Sequence, residues 1–180
     1  MKYNDLFDAD GIFLQTEAYT LRRIRPADLP RYEALAKAET PTFLPHSKEI
    51  SCLAWDDLLS EEHLTCSIFE RKTQAFCGFC QLQWLDAPAP ELGVDLLPAY
   101  QKQGVATAVL PAFLTRAKAL LGKDFFYSKI KKGNIPSQKL AKTASSVGKF
   151  AGRRFFSPIR TPPIFSASFW LGIFPFLILL

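Results

Sequence analysis

The order of apolar and polar positions along the chain predicts short strands that alternate with helices. Residues 19–24 indicate a first strand, and the proline-bearing segment after them leads into a helical pattern at residues 31–39. A second helix is expected within residues 49–59. Residues 64–70 and 74–85 then form a pair of strands joined by a short polar turn.

The second half of the chain continues this alternation. Residues 91–98 indicate a fourth strand, residues 105–121 a long helix, residues 125–131 a fifth strand and residues 135–147 a further helix. The apolar stripe of the long helix consists of Val109 or Leu110, Phe113, Leu114, Ala117 and Leu121. We expect one α/β domain, because 180 residues with 48% hydrophobic content are enough to bury a core.

Two residues bear on the limits of the long helix. Gly122 follows its predicted end directly, which is typical of a helix C-terminus. Pro111 lies inside the helix and removes a backbone hydrogen bond there, at a cost of about 3 kcal/mol. We therefore expect the helix to bend or break near Thr107.

The connection between the fourth strand and the long helix is typical of a phosphate-binding loop. It consists of Gln101, Lys102, Gln103 and Gly104, followed by a helix start at Val105, Ala106 and Thr107. Gly104 allows the backbone to come close to a ligand, and the unpaired N–H groups of the first helical turn face an anion. A pyrophosphate group is therefore the expected ligand.

Charge is divided unevenly along the chain. Residues 1–100 contain 9 Lys and Arg against 16 Asp and Glu, whereas residues 101–180 contain 13 against a single acidic residue. The basic half begins at the predicted loop, and its lysines either contact phosphate groups or form a solvated basic surface. These lysines are Lys102, Lys131, Lys132, Lys139 and Lys142. No aromatic-interleaved basic motif is present, so no nucleic-acid partner is expected.

The N-terminal residues lack a basic segment followed by a sustained apolar run, which argues against a signal peptide and favours a cytoplasmic location. The cysteines are then expected as free thiols. The spacing Cys77-x-x-Cys80 occurs in redox and zinc sites, but no second pair exists, and His46 and His63 have no matching spacing. We therefore expect this pair to pack in the core and no metal to be bound.

Three segments occur in an order that is typical of one enzyme family. They are residues 91–98, the spacing Gln101-x-x-Gly104-x-Ala106, and residues 133–140. They resemble the fourth strand, the acyl-CoA loop and the next strand-to-helix junction of the GNAT superfamily of N-acetyltransferases, most closely its RimJ/RimL-like group. The resemblance covers roughly residues 19–140. It implies an α/β fold with a mixed, mostly antiparallel sheet flanked by helices, splayed between the fourth and fifth strands, where acetyl-CoA (coenzyme A) binds.

The resemblance also implies roles for single residues. Glu91 lies where many relatives have a glutamate that acts as general base, and Asp95 on the same face of the strand is the second candidate. An ordinary strand-end glutamate in water is the alternative interpretation of Glu91. Backbone groups of Val94, Leu96 and Leu97 would line acetyl-CoA, together with residues 101–107.

Asn134 and Ser137 match positions that bind coenzyme A or order a catalytic water in relatives. The local pattern has a second explanation, since Asn134 near an N-cap and Pro136 in the first turn are typical of a helix start. Both can hold. The general-acid tyrosine of some relatives corresponds to Ala141 here, so this role has no evident residue.

The C-terminus departs from the family pattern. We assign residues 1–150 to the acyltransferase domain and residues 151–180 to an atypical segment, which contains prolines and is then apolar over residues 164–180. These last 17 residues are fewer than the about 20 that a membrane span needs, so membrane contact is disfavoured. Replacement strands, an anchor for a membrane or a partner such as a second copy, and an aberrant tail are the open alternatives.

Together these features predict an N-acetyltransferase that transfers an acetyl group from acetyl-CoA to a primary amine, by direct attack with help from a general base. The amine substrate is a protein N-terminus or a small molecule. The alternative is a non-catalytic acyl-CoA-binding or interaction protein of the same fold.

Overall fold

The computed structural model describes residues 3–38, 50–130, 133–144 and 149–151. Within these residues one sheet of seven strands follows the order of the sequence. The strands are β1 (Ile12–Gln15), β2 (Tyr19–Arg23), β3 (Leu64–Glu70), β4 (Phe76–Gln83), β5 (Glu91–Leu96), β6 (Phe125–Tyr127) and β7 (Lys149–Ala151). Neighbours from β1 to β5 are antiparallel, whereas β5–β6 and β6–β7 are parallel. The predicted mixed, mostly antiparallel sheet is confirmed.

Four α-helices of the described residues cover the two faces of this sheet. They are α1 (Leu29–Ala36), α2 (Cys52–Leu59), α3 (Val105–Leu121) and α4 (Ile135–Ala144). Helix α3 packs on one face, where Val109 and Phe113 are fully buried against side chains of β2 to β5. Helices α1 and α2 pack on the other face, where Tyr32 contacts Trp55 and Phe79. The buried apolar surface on each side of the sheet holds the helices in place.

The sequence-based limits of the elements differ from the observed ones at several ends. Helix α1 begins at Leu29 rather than at residue 31, and β6 ends at Tyr127, well before residue 131. Strand β1 was not expected, because its four residues show no alternation of apolar and polar positions. Strand β7 lies across the predicted boundary between residues 150 and 151. Residues 152–180 lie outside the described part of the chain, and in the part that is described no helix is long and apolar enough to cross a membrane.

Helix α3 passes through Pro111 without a break. It runs continuously from Val105 to Leu121 and ends at Gly122, which has the left-handed φ of 63° expected of its C-terminal glycine. Of the bend or break expected near Thr107, the break was wrong. The buried residues Leu110 and Phe113 hold the helix on the sheet on both sides of the proline, so tertiary packing offsets the local loss of a hydrogen bond.

The sheet opens between β5 and β6. Only one residue pair, Glu91 and Tyr127, is in register between these strands, and the N–H of Tyr127 donates to the carbonyl oxygen of Pro90 at 3.1 Å. Among the described residues no other register pair joins β5 to β6. The predicted fourth and fifth strands correspond to β5 and β6. The separation expected between them is therefore the gap between β5 and β6.

Candidate active site

The backbone of β5 directs alternate residues toward the gap. Because the carbonyl of Pro90 bonds to β6, the strand geometry turns the N–H and C=O groups of Leu92 and Val94 to the same side. Val94 is thus well placed to present its backbone to a molecule lying in the gap. Its side chain packs on the α3 face of the sheet.

Leu96 and Leu97 are engaged within the chain itself. The carbonyl oxygen of Leu96 accepts a hydrogen bond from Nε2 of Gln101 at 2.9 Å. The N–H of Leu97 donates to the carbonyl oxygen of Cys77 at 2.9 Å, and its own carbonyl oxygen accepts from the N–H of Tyr100 at 2.8 Å. These bonds fix the path of the chain where it leaves β5. These backbone groups of Leu96 and Leu97 therefore help to shape the loop.

Gly104 opens helix α3 in a conformation that suits glycine. It is the N-cap residue, with φ of 82°, in the left-handed region where a side chain is strained. A Cβ at this position would meet no heavy atom of the described residues within 4 Å. The surface over Gly104 is therefore open for the close approach of a ligand.

The first turn of α3 presents unpaired donors beside this open surface. The N–H groups of Val105, Ala106 and Thr107 have no intrahelical acceptor, and the glycine N-cap supplies no side-chain oxygen to bond them. They lie at the positive end of a helix of 17 residues. This end of the helix can bind an anion.

The two glutamines of the loop hold its shape. Besides the bond of Gln101 to Leu96, Nε2 of Gln103 donates to the carbonyl oxygen of Ala99 at 2.6 Å. Lys102 between them is exposed and has a left-handed φ of 59°. The side-chain amides thus organise the loop, which leaves backbone groups and Lys102 to contact a ligand.

Glu91 lies at the point where the gap begins. Its side chain is only 5% exposed, and its Oε2 lies 2.8 Å from Nζ of Lys129. Tyr127 is its register partner on β6. The alternative of an ordinary glutamate in water is therefore wrong, because this carboxylate is buried and partnered.

Tyr127 and Lys129 were not found from the sequence. Burial, and then the neighbouring carboxylate of Glu91, raise the pKa of Tyr127 above its ordinary range, so the hydroxyl stays protonated. Nζ of Lys129 lies 5.8 Å from the centre of the Tyr127 ring. The signal that could have revealed both residues is their spacing of two along the predicted fifth strand, but their partner is fixed only by the register of β6 on β5.

Asp95 is buried on the same face of β5 as Glu91, with 4% of its surface exposed. It is in register with Phe79 of β4. Between the two acidic residues lies Gly93, whose register partner Gln81 donates from Nε2 to Oγ1 of Thr65 at 2.9 Å. The face of the sheet toward α1 and α2 therefore carries a polar stripe next to the gap.

Asn134 and Ser137 form the start of helix α4. Oδ1 of Asn134 accepts a hydrogen bond from the backbone N–H of Ser137 at 3.1 Å, as expected for an N-cap. Their structural role is confirmed. Helix α4 packs beside α3, with Leu140 against the core, so both residues belong to the α3 side of the molecule.

Cys77 and Cys80 pack in the core, as expected, and the cysteines are free thiols. Cys66, Cys77 and Cys80 are buried free thiols, and Cys52 is an exposed one. Burial raises the pKa of each buried thiol, that of Cys77 to about 11. Buried His63 joins α2 to the end of β4, since its Nε2 lies 3.2 Å from Oδ1 of Asp57 and its Nδ1 accepts from the N–H of Trp84.

A groove of about 510 Å³ lies at the other end of α3. It is lined by Tyr3, Leu6, Ser60, Glu61, Glu62, Leu85, Asp86, Leu120, Leu121 and Lys123. None of the sequence-predicted site residues contributes to it. The candidate site is therefore the gap between β5 and β6 with the helix start at Gly104.

Comparisons with known proteins agree with this fold. A family model described as an acetyltransferase (GNAT) domain matches residues 19–145. No curated protein matches the chain significantly in sequence.

Solved structures of acetyltransferases share the fold. An acetyltransferase from Agrobacterium tumefaciens superposes with a TM-score of 0.62 at 23% identity, over 75% of this chain and 81% of the other. Spermidine N-acetyltransferase from Vibrio cholerae in complex with CoA and spermine gives 0.58 at 14% identity, over 72% and 80%. A Vibrio cholerae protein assigned as a ribosomal-protein-serine acetyltransferase gives 0.57 at 20% identity, over 72% and 80%.

Proposed function

The chain belongs to the GNAT acetyltransferase family, and on this premise we propose that it transfers an acetyl group from acetyl-CoA to a primary amine where β5 and β6 separate. One observation carries the proposal. Glu91 is a buried carboxylate at the last residue pair between the two strands, and the gap that begins there leads along β5 toward the open helix start at Gly104. A proton acceptor at the start of β5 and the anion-binding start of α3, which follows the other end of β5, thus border the same gap.

The helix start fits the pyrophosphate of acetyl-CoA. Gly104 leaves room for close approach, and the N–H groups of Val105, Ala106 and Thr107 supply donors without a helical partner. Lys102 adds a positive charge on the loop. Asn134 and Ser137, next to α3 at the start of α4, are the proposed second contact region, and the backbone of Val94 would bond the arm of the molecule lying in the gap.

Glu91 determines the chemistry at the closed end of the gap, which is the end where β5 and β6 still pair. The attacking amine must lose a proton, and a carboxylate within hydrogen-bond reach of the amine accepts it. The nitrogen then forms a bond to the acetyl carbonyl carbon while the bond from carbon to sulfur breaks. Thiolate is a good leaving group, so the absence of a tyrosine at Ala141 does not prevent the reaction. Asp95 on the same face is the second proposed proton acceptor.

The acidic surroundings favour a cationic acceptor. Glu91 is buried on β5, and an ammonium group, that of Lys129, already lies 2.8 Å from its carboxylate, at a place where a cationic acceptor could replace it. Solved relatives of the same fold are named for acetylation of spermidine and of ribosomal-protein serine. Polyamines and peptides with N-terminal serine are therefore the first acceptors to test.

The test measures free thiol released from acetyl-CoA by the full chain in the presence of spermidine, a peptide with N-terminal serine, and simple primary amines. The proposal predicts release that depends on an acceptor and that saturates with acceptor concentration. Tight binding of acetyl-CoA without acceptor-dependent release across the panel would instead indicate a non-catalytic acyl-CoA-binding protein.

A further inference from the structure

Lys129 brings a primary amine to the proposed proton acceptor. Its Nζ lies 2.8 Å from Oε2 of Glu91, which is hydrogen-bond distance. The side chain of Lys129 is 57% exposed, so its long stem can move, whereas the carboxylate it contacts is buried. The chain therefore carries, within itself, an amine at the position where an acceptor would lose its proton.

Lys129 lies next to the gap between β5 and β6. It follows β6 by two residues, just beyond the register pair of Glu91 and Tyr127, where the sheet opens. The amine thus lies beside the place where β6 leaves β5, with the Tyr127 ring on one side.

We propose that Lys129 is a site of self-acetylation, at which the enzyme modifies its own ε-amine when acetyl-CoA is bound and no external acceptor is present. This inference rests on the proposed function, because it requires the thioester to lie next to Glu91. An external amine must occupy the same place at Glu91, so Lys129 competes with it.

The reaction balances without a further reagent. Glu91 takes one proton from the ammonium group of Lys129, and the neutral nitrogen attacks the acetyl carbonyl carbon. The bond from carbon to nitrogen forms, the bond from carbon to sulfur breaks, and the sulfur leaves as thiolate. The nitrogen then loses its second proton, the thiolate is protonated, and the products are Nε-acetyl-lysine, coenzyme A and one released proton. Acetylation removes the charge of Lys129 and so ends its ion pair with Glu91.

Peptide mass spectrometry of the full chain after incubation with acetyl-CoA alone tests this proposal. Lys118 is the matched internal control, because its Nζ lies 2.9 Å from Oδ1 of Asp124 with a similarly exposed side chain, at the far end of α3. We expect acetyl groups on Lys129 at least about tenfold faster than on Lys118, with a rate constant independent of protein concentration. Glu91→Gln should slow the labelling of Lys129 by about 10²-fold, as for loss of a general base. Lys129→Arg should remove this label and leave that of Lys118 unchanged.

Three results would overturn the inference, and the first two separate it from the proposed function. If Lys129 is labelled no faster than Lys118 while the protein acetylates external amines, self-acetylation is wrong and the proposed function stands. If the protein neither releases coenzyme A with any amine nor labels Lys129, the proposed function fails and this inference with it. Equal labelling of Lys129 in the parent chain and in Glu91→Gln would also contradict the inference, because it would show ordinary chemical acetylation.

Discussion

The ammonium group of Lys129 lies 2.8 Å from the carboxylate of Glu91, and only the carboxylate is buried. A buried carboxylate needs a partner of opposite charge, and here that partner is an amine on an exposed side chain. The contact demonstrates that the closed end of the gap accommodates an ammonium group beside Glu91. An acceptor amine that displaces Lys129 would therefore meet a site already shaped for its charge.

Replacement of Glu91 by glutamine should lower turnover by about 10²-fold or more, since it removes the proposed proton acceptor. The affinity for acetyl-CoA should hold, because the loop and the start of α3 are unchanged. Initial rates of thiol release and calorimetric titration with acetyl-CoA check the two parts separately. A variant with full turnover at neutral pH would transfer the role to another group, and Asp95→Asn would be the next variant to measure.

Replacement of Gly104 by valine should weaken acetyl-CoA binding by at least about tenfold, which corresponds to about 1.4 kcal/mol. Gly122→Val is the matched control, because both glycines have left-handed φ and open space where a Cβ would lie, at opposite ends of α3. Each variant should lose about 1–2 kcal/mol of unfolding free energy from the backbone strain. Only Gly104→Val should lose affinity in calorimetry, and equal affinities of the two variants would exclude the loop as the binding site.

Asp28 should make the stability of the fold depend on acid pH. Its carboxylate accepts two hydrogen bonds from Arg22, at 2.7 and 2.9 Å, and one from the N–H of Arg25 at 3.0 Å. Burial alone would raise the pKa of Asp28, but these bonds and the charge of Arg22 outweigh it and hold the pKa below the ordinary 3.8. The unfolded chain therefore takes up the proton first, and the stabilisation is lost as pH falls from about 3.8 through the lower pKa of the folded state.

The variant Asp28→Asn tests this account by denaturant unfolding at several pH values. At neutral pH it should be less stable by about 3 kcal/mol, because the arginines lose a buried partner. The difference from the parent chain should narrow in strongly acidic solution. A constant difference at all pH values would mean that the ionisation of Asp28 contributes nothing.

The cysteines should react with a thiol reagent in two classes. Cys52 is exposed, whereas Cys66, Cys77 and Cys80 are buried and their pKa values are raised by that burial, so little thiolate is present at neutral pH. We expect one fast modification in the native protein and three more on unfolding. Cys52→Ser should remove the fast reaction, and its persistence would show that a thiol regarded as buried is reachable.

The segment from Glu91 to Gly104 was the most predictable part of the molecule. A strand, a glycine-bearing turn and a helix start follow each other in sequence, so local pattern suffices, and all three were confirmed. Of the bend or break that Pro111 was expected to cause near Thr107, the break was wrong, because the packing of α3 on the sheet lies outside any local rule. The partners of Glu91 could not be predicted, since Tyr127 and Lys129 reach it only through the pairing of β6 with β5, which is separated from it in sequence by the whole of α3.

The most direct test of the account follows both products of the reaction in one sample, with acetyl-CoA that carries an isotopic label in its acetyl group. The account predicts that, with a reactive amine present, the labelled, acetylated amine and coenzyme A appear in equal amounts. Glu91→Gln should lower the rate of formation of both products to the same extent. Coenzyme A released without labelled amine or labelled protein, or a complex with acetyl-CoA that stays intact in the presence of every amine tested, would contradict acetyl transfer at this site.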